Sequence, residues 1–138
     1  MGGGARSRET LGMPPQYDVH NFLNLLGISV DAHNPSQLAE FWAQALHRTV
    51  ADSATEQFAS IPPDDDPAHG PLLMFHHVPE GKTVKNRVHL DLKAADVHAE
   101  ADRLISLGAK QTRSLSENND RWISFTDPEG NEFDLVAG

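Results

Sequence analysis

Eight histidines and no cysteine set the chemistry open to this chain. Without thiols there is no disulfide, thiolate metal site or cysteine nucleophile. His89 and Asp91 flank Leu90, so on a strand they share one face. An imidazole beside a carboxylate is a candidate general base near neutral pH. His76 and His77 are adjacent and so face opposite ways. His76 shares its face with Leu72 and Met74, and His77 goes with Leu73 and Phe75. Trp122 and Ser124 share a face on a later strand. If these faces meet, Leu72, Met74 and Trp122 supply apolar walls and Ser124 a polar group, the usual make-up of a small-molecule pocket. Core packing accounts for the same residues equally well.

Other clusters read more simply. Asp64, Asp65 and Asp66 lack the alternating spacing and distal glutamate of a calcium loop, and read as a solvated turn. Lys82, Lys85 and Arg87 read as a basic rim for an anionic group or, more economically, as a solvated linker. His20, His33, His47, His69 and His98 have no partner pattern and read as surface. There is no Walker-type loop or nucleophile elbow, and Gly2-Gly3-Gly4 follows no strand.

The elements that must position these residues come in two similar sets. Leu25 to Asp31 alternates as a strand, with Leu26, Ile28 and Val30 on one face. Asn34-Pro35 is a cap followed by proline at the first helical position. Leu38, Phe41, Trp42, Ala45 and Leu46 then form an apolar helical stripe. Later, Val88, Leu90 and Leu92 alternate again. Asp96 caps a helix with stripe Val97, Ala101, Leu104 and Ile105, which Gly108 ends. A shift of 62 positions lays Asn34 on Asp96, and Gly27 on His89. One or two weak strands are expected within Thr49 to Ala59, and stronger ones over Leu72–Val78, Lys110–Leu115, Arg121–Thr126 and Glu132–Val136. Asp127-Pro128-Glu129-Gly130 is a turn. Each half is strand, helix, three strands.

At 138 residues the chain is the size of one domain, and its 38% hydrophobic content is enough for a core. No apolar run is long enough to span a bilayer. Residues 1–20 read as a disordered leader without the apolar stretch of a signal peptide. A formal net charge of −9 argues against nucleic acid as a partner and suits a cationic ligand. The lack of cysteine fits a cytoplasmic protein.

Three segments together resemble the glyoxalase/bleomycin-resistance family of the vicinal oxygen chelate superfamily, and within it the glyoxalase-like domain. They are Asn34 to Trp42, Asn86 to Leu92, and Asp127 to Phe133; the likeness runs from about Leu25 to Val136. It implies an α+β fold of two βαβββ modules, here residues 24–79 and 86–137 of a domain spanning 21–138. Their sheets would curl into an incomplete barrel around a cavity. It also implies a homodimer, a small-molecule ligand and, in many members, one divalent metal held from the first and last strands of each module. Carried over, His89 and Asp134 are the ligands from the second module, and His76 is the last-strand ligand of the first. The fourth position falls on Gly27, which has no side chain. The resemblance therefore implies a three-ligand site for Zn, Fe, Mn or Ni, with Asp91 or Glu132 as base or partner, in an isomerase, lyase or dioxygenase. It equally allows a metal-free protein that sequesters a small molecule, as the bleomycin-resistance proteins do. Gly27 and the acidic balance favour that second reading.

Overall fold

The computed structural model describes residues 23–114 and 122–138. The expected leader, and the strand ends Leu115 and Arg121, lie outside the described residues. The first unit runs β1 (Gly27–Ala32), α1 (Pro35–Leu46), β2 (Phe58–Ile61), one 3-10 turn (Pro67–His69) and β3 (Leu72–His77). The second runs β4 (Leu90–Ala94), α2 (Val97–Leu107), β5 (Lys110–Ser114), β6 (Trp122–Thr126) and β7 (Glu132–Ala137).

Two separate open sheets result, ordered β1-β3-β2 and β4-β7-β6-β5. In each, the first and last strands of the unit pair in parallel, and the remaining pairs are antiparallel. A parallel pair cannot be joined by a tight turn, and each helix supplies part of the crossover it needs. The architecture is α+β, and each open sheet has two edge strands, β1 and β2 in the first and β4 and β5 in the second. The second unit is the βαβββ module that the sequence implied. The first falls one strand short among the described residues. Of the strands expected over Thr49 to Ala59, only β2 forms, and it extends to Ile61. The stretch before it satisfies its backbone in turns instead: Gln57 and Phe58 donate N–H bonds to Thr55 Oγ1, and Ala54 donates to the Ala51 carbonyl.

The helices start as their caps dictate. Asn34 accepts a bond from the Gln37 N–H at 3.3 Å, and Asp96 one from the Ala99 N–H at 3.0 Å. Residue His47 ends α1 in the left-handed conformation (φ 55°), and Gly108 ends α2 at φ 121°. The buried stripe of α1 contains Leu38, Phe41, Trp42 and Ala45. That of α2 contains Val97, Ala101 and Leu104; Ile105, expected with them, is 45% exposed.

The core joins the two units. Phe125 stacks on Phe133 with ring centroids 5.4 Å apart, and Trp42 of α1 meets Phe133 edge-on at 4.9 Å. The Trp42 Nε1–H donates to buried Asp127 at 3.0 Å. Asp127 also accepts from the Glu129 and Asn131 backbone N–H groups and from Asn131 Nδ2, so its buried charge is fully bonded. Glu129 reaches back to the His33 and Asn34 N–H groups at 2.6 and 2.8 Å. The turn read as simple punctuation thus ties the second unit to the start of α1. No helix among the described residues is long and apolar enough to cross a membrane.

Candidate functional site

Leu90 and Phe133 face each other in the parallel β4–β7 pair, and Asp91 and Asp134 follow as the next pair. Phe133 and Leu135 point into the core, so by alternation Asp91 and Asp134 point to the open face of the second sheet. Two carboxylates on neighbouring strands repel, and this arrangement calls for a cation between them. His89, the residue before β4, supplies one candidate. Its Nδ1 lies 3.4 Å from Asp91 Oδ1 and 3.3 Å from Asp134 Oδ2. The Ser124 hydroxyl on β6 donates to the other Asp134 oxygen, Oδ1, at 2.6 Å. Asp134 is buried, whereas the His89 and Asp91 side chains are 41% and 60% exposed. One oxygen of Asp134 is therefore fixed from behind, and the other faces His89.

His89, Asp91 and Asp134 offer ligand atoms that all lie within 4.8 Å of one another, the one such group among the described residues. One imidazole nitrogen and two carboxylate oxygens form a donor set that fits a divalent ion. Asp91, read from sequence as a base or partner, stands among the candidate ligands.

His76 does not join this group. The β1–β3 ladder pairs Ile28 with Leu73 and Ser29 with Met74. Matched to Leu90–Phe133 and Asp91–Asp134 in the second sheet, it gives Met74 the place of Asp134. His76 lies two residues further on, exposed, with its ring 5.0 Å from that of Phe58. A slip of two residues keeps the alternation of apolar faces, so the sequence pattern does not register it. The Gly27 position is closed to any ligand. A Cβ there would come within 2.5 Å of the Leu72 carbonyl oxygen, because β3 packs directly against it.

Two cavities meet at His89. One, of about 300 Å³, lies on the open face beside Asp134 and includes Lys85, Arg113, Trp122 and Ser124 in its walls. The other, of about 270 Å³, lies between the units among Ile28, Val30, Trp42, Phe75 and Phe133. Trp122 and Ser124 line the first of these cavities, while Leu72 and Met74 line neither. Glu132 borders both, but its carboxylate is already engaged. It accepts from the Asn86 N–H at 3.0 Å and pairs with Lys82 Nζ at 3.0 Å. The Asn86 bond, helped by Lys82 and opposed by partial desolvation, holds its pKa below the usual glutamate value. Glu132 therefore anchors the linker that delivers His89. Arg113 carried no sequence signal, since its orientation depends on a bulge.

The scaffold is an open α+β arrangement of two units related in pattern, with a His–Asp–Asp group at the paired first and last strands of one unit. A family model described as the glyoxalase-like domain matches residues 27–136. The chain belongs to this glyoxalase-like domain family, within the vicinal oxygen chelate superfamily. No curated protein gives a significant match. Among solved structures, a glyoxalase/bleomycin resistance protein/dioxygenase family enzyme from Burkholderia phytofirmans PsJN has a TM-score of 0.66 at 15% identity, covering 83% of this chain and 98% of that one. A mutant of the fosfomycin resistance protein FosX from Listeria monocytogenes, solved with Mn(II) and 1S,2S-dihydroxypropylphosphonic acid, has a TM-score of 0.66 at 14% identity, covering 85% and 91%. A glyoxalase-related enzyme from Fulvimarina pelagi has a TM-score of 0.64 at 12% identity, covering 85% and 89%. At these identities the likeness is one of fold.

Proposed function

We propose that the chain is a small-molecule enzyme of the isomerase, lyase or dioxygenase type that holds one divalent ion on His89, Asp91 and Asp134. The observation that carries this reading is the convergence of two side-by-side carboxylates and an imidazole at the rim of a cavity. When bound, the ion would act as a Lewis acid toward a substrate oxygen. The donor set is oxygen-rich, which favours Mn or Fe(II) among the candidates Zn, Fe, Mn and Ni. That FosX has been solved with Mn(II) on the same fold supports the choice.

The chain's own residues divide the remaining work. Ser124 orients Asp134, Glu132 and Lys82 hold the linker before His89, and Trp122 forms an apolar wall. Three donors from the protein leave coordination positions for substrate and water. The same triad also supports a metal-free reading: His89, flanked by two carboxylates, is oriented as a proton acceptor or a ligand-binding group in a sequestering protein. We take the protein to be cytoplasmic, on its cysteine-free composition, and a homodimer, on the open edge strands of its two sheets. Light scattering behind a sizing column tests the dimer; a monomer mass at micromolar concentration excludes it.

Elemental analysis of protein purified without an affinity tag for metals tests the main reading. About one Mn, Fe, Zn or Ni per chain, lost in His89→Ala, is expected. An ion retained in His89→Ala, or none taken up from excess of each metal, rejects it and leaves the metal-free protein.

A further inference from the structure

We propose that the cavity beside Asp134 takes its ligand by an anionic group, a carboxylate or a phosphate-type oxyanion, bound by Arg113 and Lys85. The inference starts from an irregularity in the second sheet. The β5–β6 ladder pairs Gln111 with Phe125 and then Arg113 with Ser124, passing over Thr112. In a regular ladder Thr112 would face Ser124. Arg113 would then face Ile123, on the side where that residue is buried against the core. The extra residue turns Arg113 by one position, onto the face where Ser124 bonds Asp134. A bulge that re-aims one side chain toward a cavity is a recurrent device beside functional sites.

Arg113 and Lys85 both line this cavity, with Trp122, which is 43% exposed, on the same wall. Three other described cations are engaged: Arg48 binds the carbonyls of Ile61, Pro62 and Pro71, Lys82 pairs with Glu132, and Arg103 with Glu100; Arg87, Lys93 and Lys110 do not line this cavity. Arg113 and Lys85 make no ion pair or hydrogen bond with a protein group among the described residues. They face the cavity of a protein whose formal net charge is −9, so overall charge does not draw anions there and a local site must do so. The planar guanidinium fork suits a two-oxygen anion, and the lysine adds a point charge. Arg113 lies two strands from Asp134 in the order β7-β6-β5, roughly 10 Å at the backbone. A small acid can therefore place its anionic end on Arg113 and its other oxygens toward His89, Asp91 and Asp134. That second half rests on the function proposed above; the anion site itself does not.

The test is titration with methylphosphonate and with acetate, followed by calorimetry, in wild type, Arg113→Ala, Arg113→Lys and Lys85→Ala, with and without Mn(II). Bound metal is measured in every sample. Saturable binding of at least one anion is expected, about 10- to 100-fold weaker in Arg113→Ala, from what a charge-assisted hydrogen bond contributes. Arg113→Lys should recover part of it, and Lys85→Ala should weaken it less. Preference for methylphosphonate identifies a dianionic phosphate-type ligand, and equal or better binding of acetate a carboxylate. Binding unchanged in Arg113→Ala, or no saturable binding of either anion, overturns the inference. Anion binding that persists in a chain taking up no metal rejects the proposed metal function alone. One metal per chain with no anion binding rejects the anion site alone.

Discussion

The two units share a backbone plan and differ on their open faces. In both, the first strand runs parallel to the last, with apolar pairs turned to the core: Ile28–Leu73 in one and Leu90–Phe133 in the other. The next pair is Ser29–Met74 in the first unit and Asp91–Asp134 in the second. The position before is Gly27, pressed on the Leu72 carbonyl, in the first unit and His89 in the second. The apolar side is thus held in common because it builds the core. The open side is free to diverge: at these positions only the second unit has ligand-type groups, while in the first Asp31 and His76 face each other further along the ladder. The first unit instead contributes Trp42 and the start of α1, which the Asp127–Asn131 turn grips.

If the shared face is structural, breaking it should cost the same kind of energy in either unit. Phe133→Ala and Phe75→Ala should each destabilise the chain by about 3–5 kcal/mol in urea melts, the range for a buried phenylalanine. A much smaller cost for Phe75→Ala would mean that the first unit is not packed as a core. Asp127→Ala should follow at about 2–4 kcal/mol, since it leaves the Trp42 Nε1–H buried without a partner. Gly27→Ala, which forces a Cβ toward the Leu72 carbonyl, should cost about 1–3 kcal/mol. For the same reason Gly27→His should not add a fourth ligand; tighter metal binding in that variant would contradict the closed position.

On the open face the effects are smaller and chemical. Ser124→Ala frees Asp134 Oδ1 and should weaken metal binding about 10-fold with little change in melting temperature. The linker clasp should depend on pH. The Glu132 pKa is depressed in the fold, so its contribution is present above the ordinary glutamate value, about 4.3. It is lost as pH falls through the lower folded value. Lys82→Ala should shrink that acid-side loss, seen as a flatter stability curve below pH 5, roughly the onset of glutamate protonation. The reverse sign applies to His69, whose bond to Asp64 raises its pKa. Its small contribution is present below the ordinary histidine value and fades as pH rises through the folded one. Both groups are exposed, so His69→Gln should barely move the melting temperature at any pH.

Much of the fold was readable because local rules agreed. Asn34-Pro35, Asp96 and Gly108 marked the helix ends, and the alternation of apolar residues marked the strands. The Asp127 turn was legible as a turn, but its grip on Trp42 and on the Asn34 N–H was not. Those contacts depend on how the units pack, 85 and 95 positions apart in sequence. His89 and Asp91 were legible as one face from spacing alone. His76 was carried into the site by matching Phe75 to Phe133, a register that preserves alternation and differs from the ladder by two residues. Arg113 was invisible for a related reason: one bulged residue, Thr112, exchanges the two faces of β5, and nothing in the local composition announces it.

The proposed chelation belongs to the second unit alone, with Asp91 rather than His76 as the third ligand. The direct measurement is Mn(II) affinity of two matched variants, Asp91→Asn and His76→Ala, by titration against wild type. His76→Ala should bind as wild type does. Asp91→Asn should bind at least 10-fold more weakly, roughly the lower bound for disturbing a ligand's surroundings. Loss of the ion in His76→Ala with retention in Asp91→Asn would contradict it, and would mean that the first unit's open face closes over the second to form a two-histidine site.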